Sequence, residues 1–228
     1  MSQFLLNVIF VIYVIAGVGL VAYGFNCYAS IYLFLKNSRR VRLTDRKNIL
    51  KFYREHSLDE LPVVTTQLPV FNEANCVERL IEAVCAMDYP KDKHEIQVLD
   101  DSTDECYEVT KRKVAEMQAC GYDIKLIHRT IRKDYKAGAL KEGMVVARGN
   151  FLAIFDADFV PEKDFLLKTI PYMVMDEQVG LVQGRWGHLN RMESGLTLAQ
   201  SIGIDGHFVV EQSARSWGNL FMNFNGTA

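Results

Sequence analysis

The chain has 228 residues, a formal net charge of -2 at pH 7 and 49% hydrophobic residues. This length accommodates one large domain or two small ones. The near-neutral charge, without a basic patch, argues against nucleic acid as the main partner. The five cysteines form no C-x-x-C pair and have no histidine at zinc-finger spacing, so we expect reduced, structural thiols.

An uncharged segment opens the chain. Residues 4–35 contain no Asp, Glu, Lys or Arg, and about 20 apolar residues suffice to cross a bilayer. A signal peptide would need a basic start and a shorter apolar core, so the segment predicts a transmembrane helix over residues 1–36. Basic residues follow this segment and none precedes it: Lys36, Arg39, Arg40, Arg42, Arg46 and Lys47. By the positive-inside rule, we expect a single-pass protein of the cell membrane, with a basic linker or surface-lying helix over 37–60 and a cytoplasmic domain over 61–228.

Strand and helix patterns alternate from residue 61 onward. The stretches "VVTTQLPV", "EIQVL", "IKLIH" and "FLAIF" are typical of buried strands. Helical patterns separate them, and the first places five apolar residues on one face: Val77, Leu80, Ile81, Val84 and Cys85. This order with short loops predicts an α/β fold, a mostly parallel sheet with helices on both faces. We expect His94 and His128, which border strands, to lie at the surface.

Polar residues follow three of the four strands, and parallel sheets bind ligands at the carboxyl edge. Asp156 and Asp158 end the fourth strand, where two carboxylates could bind Mg²⁺ or Mn²⁺ and link it to a diphosphate. The alternative is a solvated acidic loop. Asp100 and Asp101 end the second strand, either to cap a turn or to hydrogen-bond a base or ribose. Lys136 opens a helix, a position that favours an anion but equally suits a solvated side chain.

The same residues bear on other enzyme classes. The sequence has neither a P-loop nor a dinucleotide-binding fingerprint, and no spacing indicates a nucleophilic hydrolase. The stretch "FLAIFDADFV" also fits a haloacid-dehalogenase-like phosphatase, with Asp156 as nucleophile and Asp158 as general acid. That hypothesis leaves "DDSTD" and "FNE" without a role.

Six motifs in order carry a family resemblance: "LPVFNE", "VLDDSTD", "KAGAL", "FDADF", "QGRWGHLN" and "FNGTA". With them the chain resembles the processive family 2 glycosyltransferases, in particular the cellulose-synthase-like and glucomannan-synthase-like branch. The resemblance implies a GT-A fold that transfers a sugar, with inversion, from a UDP- or GDP-sugar to a glycan or lipid-linked acceptor in polysaccharide synthesis. It implies metal ligation by Asp156 and Asp158, and donor binding by ten residues: Pro69, Phe71, Asn72, Glu73, Asp100, Asp101, Lys136, Gln183, Arg185 and Trp186.

The resemblance also implies residues that this sequence does not contain. In the family, a T-E-D-type segment with the general base and a Q-x-x-R-W segment follow "FNGTA". We therefore expect the general base beyond Ala228, and expect the chain to be the donor-binding part of a longer enzyme. A fragment that binds a nucleotide-sugar without turnover stays an open alternative, and the sequence leaves the sugar and the acceptor open.

Overall fold

The computed structural model describes residues 3–227. The strands are β1 (Val64–Val70), β2 (His94–Asp100), β3 (Asp123–His128) and β4 (Phe151–Ile154). The α-helices are α1 (Gln3–Glu55), α2 (Ala74–Cys85), α3 (Cys106–Ala119), α4 (Tyr135–Val145), α5 (Phe165–Met175), α6 (Gly195–Asp205) and α7 (Ser213–Trp217). Short 3₁₀ helices cover Leu58–Glu60 and Lys91–Lys93, and a π-helix covers Gly206–Gln212.

The chain divides into two compact units. One comprises residues 48–184 and 224–228 and contains all four strands; we call it the sheet unit. The other comprises residues 1–47 and 185–223 and is helical; we call it the helical unit.

The four strands form one parallel sheet in the order β3-β2-β1-β4. Alternate residues of a strand face opposite sides, and both sides are covered. Val64 and Leu68 of β1 belong to a core that includes the apolar face of α2. Gln67 faces the other side, where Gly143 of α4 lies so close that an added Cβ would come within 2.6 Å of the Gln67 Nε2. The predicted parallel sheet covered by helices is thus confirmed.

The helix patterning between the strands is confirmed as well. The five residues predicted for the buried face of α2 are all buried: Val77, Leu80, Ile81, Val84 and Cys85. Helix α3 ends just before Gly121, whose φ of +82° is a conformation that glycine adopts without strain.

Pro69 lies in β1, although proline cannot donate a backbone hydrogen bond and is rare in central strands. It is tolerated because β4 pairs with β1 only as far as Gln67. Beyond that point β1 has a neighbour on one side alone, β2, so its last residues open toward the loop that follows β4.

His94 corrects an expectation. Its side chain is buried, with 6% of its surface exposed, because β2 begins at His94 and its ring packs edge-on against Tyr89. The ring Nε2 lies 2.8 Å from the Thr66 hydroxyl. The expectation of a surface residue was wrong for His94, whereas His128 is exposed.

Helix α1 does not end with the uncharged segment at Leu35 but continues without a break to Glu55. Among the described residues it is the one helix long and apolar enough to cross a membrane. Within the helical unit, Phe34 of α1 stacks on Trp217 of α7 with ring centroids 5.6 Å apart. The domain boundaries at residues 36 and 60 stay predictions.

Candidate functional site

The loop after β1 is fastened to the loop after β2. Asn72 adopts a left-handed conformation, φ 56°, which asparagine tolerates better than most residues. Its backbone N–H donates to the Ser102 hydroxyl at 3.0 Å, and its side-chain oxygen accepts from the Thr103 N–H at 2.9 Å. Asn72 therefore positions Phe71 and Glu73 at the carboxyl edge of the sheet.

The two carboxylates at the end of β2 are buried and have partners within the protein. Asp100 is fully buried, accepts from the Ser102 N–H at 2.9 Å and lies 3.3 Å from the His128 ring. Asp101 is 4% exposed and accepts two hydrogen bonds from Arg129, at 2.7 and 2.6 Å. A buried carboxylate bound by a guanidinium in this two-point geometry is held in one orientation.

Arg129 also shapes the loop that leads to Lys136. It donates to the backbone carbonyls of Lys133, at 3.2 Å, and Tyr135, at 2.9 Å. Gly138 is required beside it, because an added Cβ would lie 2.1 Å from the Lys133 carbonyl oxygen and 2.8 Å from the Arg129 Nη1. One arginine thus links the end of β2 to the start of α4.

The acidic pair after β4 is in a different environment. Asp156 has a third of its side chain exposed, and Asp158 is exposed. One carboxylate oxygen of Asp156 contacts the Lys136 ammonium, which also donates to the Gly226 carbonyl at 2.7 Å. The Asp156 N–H donates to the Thr227 hydroxyl at 3.0 Å, and that hydroxyl donates to the Ile154 carbonyl at 3.1 Å. Residues 226 and 227 therefore fix the start of the Asp-x-Asp segment.

The carboxylates at this edge influence one another. The pKa of Glu73 is raised, first by partial burial of its carboxyl group and then by the negative charges of Asp158 and Asp156. Lys136 is the cation that contacts Asp156. Three carboxylates this close together repel one another, and together they attract a cation.

A cavity of about 120 Å³ opens among these loops in the sheet unit. It brings together six of the predicted site residues: Pro69, Phe71, Glu73, Asp101, Lys136 and Asp156. Its other lining residues are Val70, Leu99, Arg132, Ala139 and Ala157.

Four predicted residues of the sheet unit do not line this cavity. Asn72 and Asp100 support it through the hydrogen bonds above, and Asp158 lies in the exposed turn beside Asp156. Gln183 bonds to the segment that carries Thr227, donating to its carbonyl at 3.2 Å. Arg185 and Trp186 belong to the helical unit, where the Trp186 ring packs on Phe208 with centroids 5.1 Å apart.

Arg129 and Arg132 lie at this site, and the sequence analysis did not identify them. The signal was present: "HRTIRKD" follows β3, so its side chains begin at the same edge of the sheet as the acidic clusters. Their contacts depend on the pairing of Asp100 with His128, which places the end of β3 beside the end of β2.

The donor set fits a divalent cation that is shared with a substrate. No group of three or more His, Cys, Asp or Glu residues within 3–227 is arranged to hold a metal alone. Mg²⁺ is commonly held by one or two carboxylates, with substrate phosphates and water completing its coordination. Asp156 and Asp158 supply hard oxygen donors of this kind, and Lys136 adds a charge that suits phosphate.

A second cavity, of about 330 Å³, lies in the sheet unit between β4, α5 and residues 180–182. Its lining is apolar apart from Thr169, whose hydroxyl donates to the Phe165 carbonyl at 2.9 Å. None of the side chains that line it is charged.

The family model described as Glycosyl transferase family 2 matches residues 67–205. Probable glucomannan 4-beta-mannosyltransferase 11 of Oryza sativa subsp. japonica is 45% identical over 171 residues, covering 73% of this chain and 30% of that protein. Glucomannan 4-beta-mannosyltransferase 9 of Arabidopsis thaliana is 41% identical over 199 residues, covering 82% of this chain and 37% of that protein. The chain thus spans about a third of the length of the curated relatives that it matches.

A solved structure also overlaps the chain. The mannosyltransferase of Pyrobaculum calidifontis, determined with GDP-Man and Mn²⁺, is 27% identical and covers 68% of this chain and 45% of its own, with a TM-score of 0.49.

Proposed function

The chain belongs to glycosyltransferase family 2, and we propose that it binds a nucleotide-sugar and transfers a mannosyl unit from it to a growing glycan. The sugar is suggested by the relatives, which are named as glucomannan 4-beta-mannosyltransferases. The observation that carries the proposal is the cavity at the carboxyl edge, which the Phe71 ring, Lys136 and the Asp156 carboxylate line, with the exposed Asp158 in the turn beside it.

The roles follow from charge and position. Asp156 and Asp158 would hold Mg²⁺ or Mn²⁺ together with the donor diphosphate, and Lys136 would neutralise a phosphate oxygen beside them. Such a cation neutralises charge that develops on a departing diphosphate. Phe71, Pro69 and Glu73 would contact the nucleoside.

Asp101 serves this site as part of its frame. Both of its oxygens accept hydrogen bonds from Arg129, so its share in donor binding is to fix the wall of the cavity. Transfer with inversion requires a base that deprotonates the acceptor hydroxyl as it attacks the anomeric carbon from the face opposite the diphosphate. We assign that role to no residue of this chain.

Membrane attachment is part of the proposal. Helix α1 carries an uncharged stretch long enough to cross a bilayer, with six basic residues directly after it. By the positive-inside rule, the sheet unit would face the cytoplasm. A haloacid-dehalogenase-like phosphatase gains no support, since residues 67–205 match a glycosyltransferase family.

Calorimetry on the purified chain in detergent tests donor binding. UDP and GDP are titrated with and without Mn²⁺ into the wild type, Asp156→Ala and Asp92→Ala. Asp92 is an exposed carboxylate in the 3₁₀ helix before β2, at the other edge of the sheet, and serves as the control. We expect Mn²⁺ to strengthen binding at least tenfold, about 1.4 kcal/mol, in the wild type and the control but not in Asp156→Ala.

Equal affinities in all three proteins, with and without Mn²⁺, would contradict the assignment of Asp156. A single-turnover reaction with labelled UDP- or GDP-mannose then separates an enzyme from a binding module. The module would bind the donor and leave it intact.

A further inference from the structure

A continuous helix carries the basic residues that follow the uncharged stretch. Helix α1 extends to Glu55 without a break, so the side chains of residues 36–47 have helical positions. We call these residues the basic segment, and they lie within the helical unit. The segment has one acidic residue, Asp45, and six basic ones: Lys36, Arg39, Arg40, Arg42, Arg46 and Lys47.

The basic residues share one side of the helix. At helical spacing they form two adjacent rows: Lys36, Arg40 and Lys47, and Arg39, Arg42 and Arg46. All six side chains are exposed. The opposite side carries Ser38, Val41 and Asp45, which are partly buried. The segment therefore packs through one side and leaves the side with its cations accessible.

Two exposed tyrosines precede the basic segment on that same side. Tyr28, Tyr32 and Lys36 follow one another at intervals of four residues, and both tyrosines are exposed. The Lys36 Nζ lies 5.8 Å from the centroid of the Tyr32 ring. Tyrosine is enriched where the hydrocarbon core of a bilayer meets its head groups, so this pair marks the start of the basic segment as a head-group position.

The length of the uncharged stretch agrees with that position. As a helix, residues 4–35 measure about 48 Å, and a bilayer with its head groups is about 40–45 Å thick. A helix that spans the bilayer with this stretch therefore brings Lys36 to the level of the head groups. From Lys36 to Arg42 the helix rises by about 9 Å, close to the Debye length of about 8 Å at physiological ionic strength.

The supply of carboxylates distinguishes the basic segment from the sheet unit. There, exposed cations have acidic partners: Arg112 pairs with Glu78 at 2.9 Å, and Lys168 with Glu162 at 2.8 Å. The basic segment has a single carboxylate for six cations, and Asp45 lies on the side opposite to them. Its exposed side thus has a positive charge that anions outside the chain can neutralise.

We infer that the exposed side of the basic segment binds the head groups of anionic phospholipids in the cytoplasmic leaflet. The positive-inside rule concerns the orientation of a helix in the membrane, and it does not require the cations to share one accessible side. Clusters of about four to eight Lys and Arg residues directly after a membrane-spanning helix are typical of segments that bind anionic lipids. This inference rests on the membrane attachment that the proposed function includes.

Native mass spectrometry of the full chain in a neutral detergent tests the inference. Phosphatidylserine and phosphatidylcholine with identical acyl chains are added in equal amounts, and the two lipid-bound forms of the protein are compared. We expect the wild type to bind phosphatidylserine about tenfold more than phosphatidylcholine. The ratio should fall as the salt concentration is raised, because salt screens exposed charges.

Two variants with four changes each test whether charge is responsible. In the first, Arg39, Arg40, Arg42 and Arg46 are all replaced by Gln, and the lipid ratio should come close to one. In the second the same four residues are replaced by Lys, which keeps the charges and should keep the preference. Circular dichroism checks that both are folded, and the salt series on the wild type provides the test if the Gln variant is not.

The matched control removes the same charge elsewhere. It replaces four exposed cations of the sheet unit by Gln: Lys111, Arg112, Lys141 and Lys163. The control should keep the tenfold preference. A loss of the preference in the control as large as that in the Gln variant of the basic segment would overturn the inference, because net charge would then select the lipid.

The remaining outcomes separate the inference from the proposed function. A ratio near one in the wild type, or a preference that persists in the Gln variant, overturns the inference. Nucleotide binding with Mn²⁺, measured on the same samples, tests the donor site independently of the lipid. If alkaline carbonate extracts the wild type from membranes, the membrane attachment is refuted and the inference fails with it.

Discussion

The two acidic clusters of the sheet unit differ in what neutralises them. At the end of β2, Asp100 and Asp101 are buried, and Asp101 is held at two points by Arg129. At the end of β4, Asp156 has one ammonium contact and Asp158 is exposed. The same residue type at the same edge thus stabilises the fold in one place and, by the proposed function, binds a cation in the other, because burial and partners decide the role of a carboxylate.

Asp101→Asn should break the first cluster. It leaves the buried Arg129 guanidinium with only one charged partner, the exposed Glu142 at 3.3 Å, and the loss of one partner of a buried pair costs about 3–5 kcal/mol of unfolding free energy. Asp156→Asn, the matched change at the second cluster, should cost less than about 1 kcal/mol because the pair there is partly exposed. Denaturant unfolding followed by circular dichroism measures both, and equal losses would remove the distinction between the clusters.

His94 lies at the opposite end of β2 from Asp100 and is buried without a charged hydrogen-bond partner. It therefore isolates the effect of burial on an ionisable group. Burial lowers its pKa from 6.5 to about 4, against a smaller opposing effect of Asp123. The His94 ring of the unfolded chain therefore takes up a proton near pH 6.5, whereas the same ring in the folded chain takes it up only near pH 4. The part of the unfolding free energy that depends on a neutral His94, about 3 kcal/mol, is present in full above pH 6.5 and is lost as the pH falls through this window.

The check for His94 is the unfolding free energy of the wild type and of His94→Gln between pH 7 and 4. The variant should lack this part of the acid dependence, so that the difference between the two proteins changes across the window. A constant difference would mean that His94 titrates alike in both states.

Replacing Glu73 tests the repulsion between carboxylates at the second cluster, and we expect it to have the smallest effect on stability. Its pKa in the folded protein is raised above 4.5 by partial burial and by Asp158 and Asp156, so the stability that it contributes when protonated is lost as the pH rises through its folded pKa. Glu73→Gln should raise the unfolding temperature at pH 7 by about 1–2 °C. The gain should vanish at pH 4 and below.

Mn²⁺ sharpens the Glu73 comparison. A cation bound by Asp156 and Asp158 removes the repulsion, so the advantage of Glu73→Gln at pH 7 should shrink or reverse when Mn²⁺ is added. An advantage of the same size with and without Mn²⁺ would mean that no cation binds at this edge in the absence of a nucleotide.

Much of the fold could be predicted from patterns with a single physical cause. The apolar runs predicted to be strands became β1, β2, β3 and β4, of which β1 and β2 are buried as predicted, whereas β3 and β4 are mostly only partly buried. Parallel strands bring their ends to one edge. That is why the cavity collects Phe71, Asp101 and Asp156 from three separate motifs. Helix α2 could be predicted equally well, because the residues that a helix buries lie on one of its faces and recur at helical spacing.

The rest depended on distances that a sequence does not contain. Arg129 and Arg132 lie three residues apart in one basic loop, yet Arg129 is saturated with partners and Arg132 is not. Only the pairing of β3 with β2 decides which of the two arginines makes two hydrogen bonds to Asp101. The burial of His94 likewise follows from where β2 begins, and the length of α1 from a helix that continues past its apolar stretch.

Thr227 carries a consequence for how the protein is made. Its hydroxyl joins the Asp156 N–H to the Ile154 carbonyl, and Gly226 holds Lys136, across 71 and 90 residues of chain respectively. Contacts between residues so distant in the chain form late in folding. During synthesis, β4 and α4 leave the ribosome well before residue 227 does, so the acidic turn reaches its final geometry only when Gly226 and Thr227 have emerged and docked.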